Sequence, residues 1–280
     1  MVTLRGGGLV VVDPRTNPIT ILAEYDRNTI HGNGCGGIEV GGGMYINSGG
    51  GTATNLSEFD VYRFPLEGYS STNPPNTPAP TVLFTDDERD RDSHGSFTTK
   101  LGRYLWVLDR RMNNAEVFDV ASGERVNTVN LLSGMSDDPS LDLADLSPSG
   151  NFVFVSLRGP NPLSGDPHSS TGVTPGVGVV QLEQGGRTGS MKTVVRISNR
   201  DANRVERADA HGIRVRLKFG SNQLNGLQVF GDVAGPSKSA ADSLRQGGAG
   251  LRLSMHDERA SGRRLEGFQP EEDFVGIGVS

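Results

Sequence analysis

Residues 92–126 read DSHGSFTTKLGRYLWVLDRRMNNAEVFDVASGERV, and the reading of this stretch decides the fold class. A His-Gly step leads into Ser96-Phe-Thr-Thr99, and a turn at Lys100-Leu-Gly102 follows. The apolar run Tyr104-Leu-Trp-Val-Leu108 comes next, then a polar turn, then Glu116-Val-Phe-Asp-Val120. A second turn, Ala121-Ser-Gly-Glu124, precedes Arg125-Val-Asn-Thr-Val129. Short runs of β-branched and aromatic residues between Gly, Asn, Asp and Ser clusters are strands joined by tight turns. Four antiparallel strands in roughly 40 residues form the blade of a β-propeller.

The pattern extends in both directions. Laying Gly150 on Gly102, an ungapped shift of 48, puts Phe152-Val-Phe-Val155 on Tyr104-Leu-Trp-Val107 and Asp142 on His94. Upstream, a unit starts near His31-Gly32, passes through Met44-Tyr-Ile46 and Leu56–Tyr62, and ends on Thr81-Val-Leu-Phe84. Residues 69–80, YSSTNPPNTPAP, are too rich in proline for a central strand. At the start of the chain, Leu9–Val12 and Ile19–Leu22 flank a Pro-containing turn and match the second half of a unit. A further unit starts at His211, and Leu227–Phe230 and Leu251–Met255 have strand character. The expectation is an all-β propeller of four-stranded antiparallel blades, with three full units and partial blades at each end. Residues 1–220 carry the repeats, joined partway through a blade. Residues 221–280 diverge into a polar, poorly ordered tail, with a short helix near residues 240–245.

Composition narrows the classes of function. Glycine (39) and proline (15) suit many short strands, and 34% apolar content suits sheets that pack only on their neighbours. A net charge of −6 without Lys/Arg clusters argues against nucleic acid, which needs a basic stripe. No apolar run approaches the ~20 residues that span a bilayer. The first residues, MVTLRGGGLVVVDP, lack a signal-peptide layout, so a soluble, unexported chain is expected. Cys35 is the sole cysteine, which excludes an internal disulfide and a multi-cysteine zinc site.

The step SPSGNFVFVS at residues 147–156 resembles the Ser-Pro-x-Gly-x-x-hydrophobic-x-Val step of YVTN-type propeller repeats, a WD40-like group that includes lactonase-like propellers. The His-Gly steps at His31, His94 and His211 fit the same repeat start. The resemblance covers roughly residues 9–217 and implies the fold, while propellers of this kind serve many roles. Typical members close about seven blades. Two explanations suit the shorter array: a piece of a larger propeller, or a small ring in which the hairpin at residues 9–22 completes the blade begun at His211.

The chemistry concentrates at the repeat starts. His31, His94 and His211 occupy similar points of their units and Asp142 takes that point in a fourth, a set sufficient to ligate a divalent metal at a channel mouth. The competing expectation is structural: Asp92 and Asp209 each precede a histidine by two residues, and such pairs lock blades together. No resident cofactor beyond that divalent metal is expected. The long connection of residues 158–176 offers Arg158, Asp166 and His168 for ligand contact. The run DDERDRD at residues 86–92 reads as a solvated loop, lacking the Gly and distal Glu of a calcium loop. The glycines around Cys35 read as tight β-turns. The leading functional expectation is a binding scaffold for a protein or small-molecule ligand, without nucleic acid or a membrane span. A lactonase-like or metal-dependent hydrolase or oxidoreductase using a His-lined channel is the second, and a fragment without independent function the third.

Overall fold

The computed structural model describes residues 1–4, 6–49, 58–86, 90–163, 171–215 and 227–232. Strands and turns make up nearly all of them, with one 3-10 turn at Gln184–Gly186. The quoted stretch is a four-stranded antiparallel sheet in which β8 (Ser93–Thr98), β9 (Tyr104–Asp109), β10 (Asn114–Asp119) and β11 (Arg125–Asn130) follow one another from the inside outward. The same order builds the sheet before it from β4 (Asn33–Val40), β5 (Gly43–Gly49), β6 (Phe59–Pro65) and β7 (Thr81–Thr85). The sheet after it consists of β12 (Leu141–Leu146), β13 (Phe152–Leu157), β14 (Gly176–Glu183) and β15 (Thr188–Arg196). A three-stranded sheet, β1 (Val2–Thr3), β2 (Leu9–Asp13) and β3 (Thr20–Tyr25), stands at one end; a pair, β16 (Asp209–Val215) and β17 (Leu227–Asp232), stands at the other. Among the described residues there are therefore three four-stranded blades, flanked by the three-stranded sheet and the β16–β17 pair, as the repeat implies.

The hairpin of residues 9–22 does not complete the last blade. Its two strands pair with each other and with β1, whereas β16 pairs with β17. Leu227–Phe230, expected as a strand, lies in β17. The expectations for residues 251–255, the short helix and most of the tail fall outside the described residues. Among the described residues no helix is long and apolar enough to cross a membrane.

Blades stack face to face, so a middle strand is buried on both sides and reads as a continuous apolar run. In β9, Leu105 and Val107 pack with Tyr45, Phe59 and Val61 of the preceding blade. Tyr104, Trp106 and Leu108 turn the other way, onto Val153, Val155 and Leu157 of the following one. Trp106 is fully buried and donates its indole N–H to the Gly186 carbonyl at 2.7 Å, so it is inter-blade core, as expected. The shift of 48 is geometric as well as textual: Gly102 and Gly150 hold φ of 66° and 81°, which only glycine adopts freely. Both close the turn between the first and second strands of a blade.

The first strands of successive blades lie side by side, β4 against β8, β8 against β12 and β12 against β16. Crowding there explains a correction to the reading of residues 32–37. Gly34, Gly36 and Gly37 lie within strand β4 and are not turn glycines. A Cβ on Gly36 would overlap Asn47 Oδ1, and one on Gly34 would meet the Thr3 side chain at 2.6 Å. Glycine serves close approach here, a use that shares its sequence signature with turns.

Candidate functional site

The side chains singled out at the repeat starts divide into two places. The first is a hub of ion pairs between the blade of β12–β15 and its two neighbours. Arg110 and Arg158 each follow the last residue of a second strand, and they too are related by the shift of 48. Both guanidiniums are essentially inaccessible, at 1% and 0% exposed, and so are Asp92, Asp142 and Asp209. Arg110 Nε bonds Asp92 Oδ2 at 2.8 Å, and its Nη1 lies 3.6 Å from Asp142 Oδ2. Arg158 Nη1 bonds Asp142 Oδ2 at 2.9 Å, while its Nε and Nη2 take both oxygens of Asp209 at 2.8 and 2.9 Å. Each arginine thus ties a carboxylate of its own blade to one of the next. Buried carboxylates are retained when they are paired with an opposite charge or bound to a metal ion.

Two of the predicted histidines join this hub. His94 Nε2 lies 2.8 Å from Asp142 Oδ1. His211 Nε2 lies 2.9 Å from Asp209 Oδ2, with Nδ1 3.7 Å from Asp142 Oδ2. The expected pairing of a histidine with the aspartate two residues before it holds for His211. For His94 the partner is Asp142 of the next blade, because Asp92 is taken by Arg110. Burial disfavours the His94 cation, but the field of Asp142 outweighs it and, against the opposing charge of Arg110, raises the pKa to about 9. Burial works against the Asp142 anion in turn, yet His94, Arg110 and Arg158 bring it down to about 2. Asp209 is held well below the usual carboxylate range, against its burial, by His211 and Arg158. Cys35, on β4, lies close enough to His94 to favour its protonated form.

His31 belongs elsewhere. Its Nδ1 lies 3.1 Å from Asp60 Oδ2 and 3.4 Å from Glu58 Oε1. The predicted metal-ligand set of His31, His94, His211 and Asp142 is therefore split, three in the hub and one beside a different pair of carboxylates. Of the ligand-binding candidates, Arg158 is a hub residue with no exposed surface, while Asp166 and His168 lie outside the described residues. The acidic run of residues 86–92 is more than a solvated loop. Buried Arg91 bonds Asp86, Asp109 and Glu116 and stacks on Phe59, 4.4 Å from the ring centroid, tying the second and third sheets together.

Beyond the hub the inner strands flank a cleft of about 840 Å³. Cys35–Ile38, Ser96–Lys100, Leu143–Pro148 and Gly212–Arg214 line it, so four blades contribute. Its wall mixes apolar groups with Ser96, Thr98, Lys100, Asp145 and Arg214. The volume falls in the range of small-molecule sites.

No protein-family model matches this chain, and none of the curated proteins matches its sequence. Solved structures similar to it include a protein from Lactobacillus plantarum, with 13% identity and a TM-score of 0.49 over 74% of this chain and 53% of the other. Another is a chain of the mitotic checkpoint complex, with 12% identity and a TM-score of 0.45 over 69% of this chain and 49% of that one. A third is Kuenenia stuttgartiensis hydrazine synthase, with 12% identity and a TM-score of 0.45 over 75% and 47%. The chain spans about half the length of these structures. Likeness at this level says nothing of activity, and the propeller architecture stands on the chain's own strand pairing.

Proposed function

We propose that this chain is a propeller-type binding scaffold that holds a small polar ligand in the cleft along β4, β8, β12 and β16. One observation carries the reading. The strongest charges near the cleft, Arg110, Arg158, Asp92, Asp142 and Asp209, neutralise one another below the surface. What faces the cleft is instead a mixed wall with Lys100, Asp145 and Arg214 as polar anchors, the pattern of an orienting pocket. A histidine already protonated at neutral pH is a poor general base.

Amide NMR with a library of small polar compounds tests this. Binders are expected to shift residues 35–38, 96–99 and 143–147, and Leu143→Trp, which fills the cleft, is expected to abolish the shifts. Turnover of a lactone or small ester that disappears in His94→Ala overturns the reading. The enzyme alternative draws support from one feature, the nearness of Cys35, in the cleft wall, to His94. Under that reading Cys35→Ser abolishes turnover; under the scaffold reading it leaves ligand affinity within about twofold.

A further inference from the structure

The second blade carries a corner unlike the hub. Glu58 and Asp60, two residues apart on one strand line, point to the same face. Both are buried, with 3% and 1% of their side chains exposed, while His31 opposite them is half exposed at 51%. The histidine is fixed from several sides. Its backbone N–H donates to the Tyr62 hydroxyl at 3.2 Å, and that hydroxyl donates to Asp60 Oδ2 at 2.8 Å. Its carbonyl accepts from Ser48 Oγ, and the preceding Ile30 is wholly buried.

Proton bookkeeping on the ring then becomes informative. Nε2 lies 3.1 Å from the Asn28 carbonyl, which can only accept, so Nε2 carries a proton. Nδ1 of the neutral ring therefore aims a lone pair at two carboxylates, an arrangement that needs a cation between them. A proton on Nδ1 bridges to one carboxylate oxygen at a time. A divalent ion meets both carboxylates and the nitrogen together.

Four further observations favour the ion. The donor atoms of His31, Glu58 and Asp60 all lie within 4.8 Å of one another, the one such group of histidine, cysteine and acidic residues among the described residues. Their separations of 3.1 and 3.4 Å match the edges of a tetrahedron about 3.3 Å on a side, as ligands ~2.0–2.2 Å from zinc would form. Asp60 Oδ1 is buried without a hydrogen-bond partner. A ligating histidine that gives its other N–H to a backbone carbonyl, and a ligating carboxylate held by a hydroxyl, are the usual outer supports of a metal site.

We propose that His31 Nδ1, Glu58 and Asp60 form a site for a zinc-class divalent cation, with a fourth position open to solvent on the exposed side of the imidazole. Tyr62 is a positioning residue that orients Asp60. The site is separate from the hub histidines and independent of the cleft ligand.

Titration of chelator-stripped full-length chain with zinc, followed by calorimetry, tests it. Near-stoichiometric uptake is expected, reduced at least about 100-fold by Asp60→Asn and about 10- to 100-fold by Tyr62→Phe. His31→Ala, a change at a half-exposed side chain, keeps the fold and loses the site, while His94→Ala retains it. Cobalt(II) supplies a readout separate from folding: visible d–d bands in the native chain, displaced by zinc and missing in His31→Ala. No zinc uptake by the native chain, or uptake unchanged in His31→Ala, overturns the proposal.

Discussion

Two repeat starts set a histidine against buried carboxylates and resolve the charge differently. In the hub, Asp142 and Asp209 meet guanidiniums planted by the second strands of the blades, and the histidines are added to a network already opposed. In the second blade, the residue after β5 is Gly50, where the next two blades carry Arg110 and Arg158. Among the described residues, the only ion-pair partner of Asp60 is His31. Among the described residues, the third and fourth blades thus carry an arginine latch, and the second carries the cation site proposed above.

The largest expected effect breaks the latch. Arg158→Ala strands Asp142 and Asp209 below the surface, and loss of one partner of a buried pair costs about 3–5 kcal/mol. Asp60→Asn in metal-free protein removes a buried charge without stranding another, so its stability is expected to stay within about 1 kcal/mol of the native chain. Urea unfolding of both variants reads the contrast directly. Equal losses would erase the distinction between latch and cation site.

A smaller effect is expected from pH. The pKa of His94 rises on folding, so its contribution is complete below the unfolded value near 6.5 and fades as pH climbs through about 9. The pKa of Asp142 falls on folding, so its contribution is complete above about 4 and fades as pH drops towards about 2. The pair is strongest between about pH 4 and 6.5. Stability is expected to fall by on the order of 3 kcal/mol from pH 6 to 10 on account of His94, and His94→Ala should flatten that limb. An unchanged slope in the variant would assign the loss to other groups.

The smallest effect belongs to His31. In metal-free protein His31→Ala is expected to cost no more than about 1 kcal/mol, since its ring is half exposed. With zinc at about 100 times the dissociation constant, the native chain gains about 2.7 kcal/mol and the variant nothing. Thermal unfolding with and without zinc separates these outcomes.

The blades were legible because β9 and β13 are buried on both faces, which forces unbroken apolar runs, and because turn glycines at residues 102 and 150 fix the register of the repeat. The same shift relates Arg110 to Arg158, yet an arginine just past a strand has the local look of a turn residue, and the hub went unread. Roles across blades were harder still: the shift of 48 grouped His94 with Asp142 as co-ligands, whereas the two face each other as an ion pair. Glycine in β4 was mistaken for turn chemistry because close approach and left-handed backbone leave one signature. The alternation Glu58-Phe59-Asp60 sets two carboxylates on one strand face, a signal that the sequence reading passed over, and nothing in it places His31 over them.

The most direct test of the central claim, that the hub histidine is a charged latch, is the ionisation of His94 followed by NMR of its ring nitrogens between pH 5 and 10. The account predicts an imidazolium that persists through pH 8, with the transition near 9. A neutral ring at pH 7 would contradict it and make His94 available as a base.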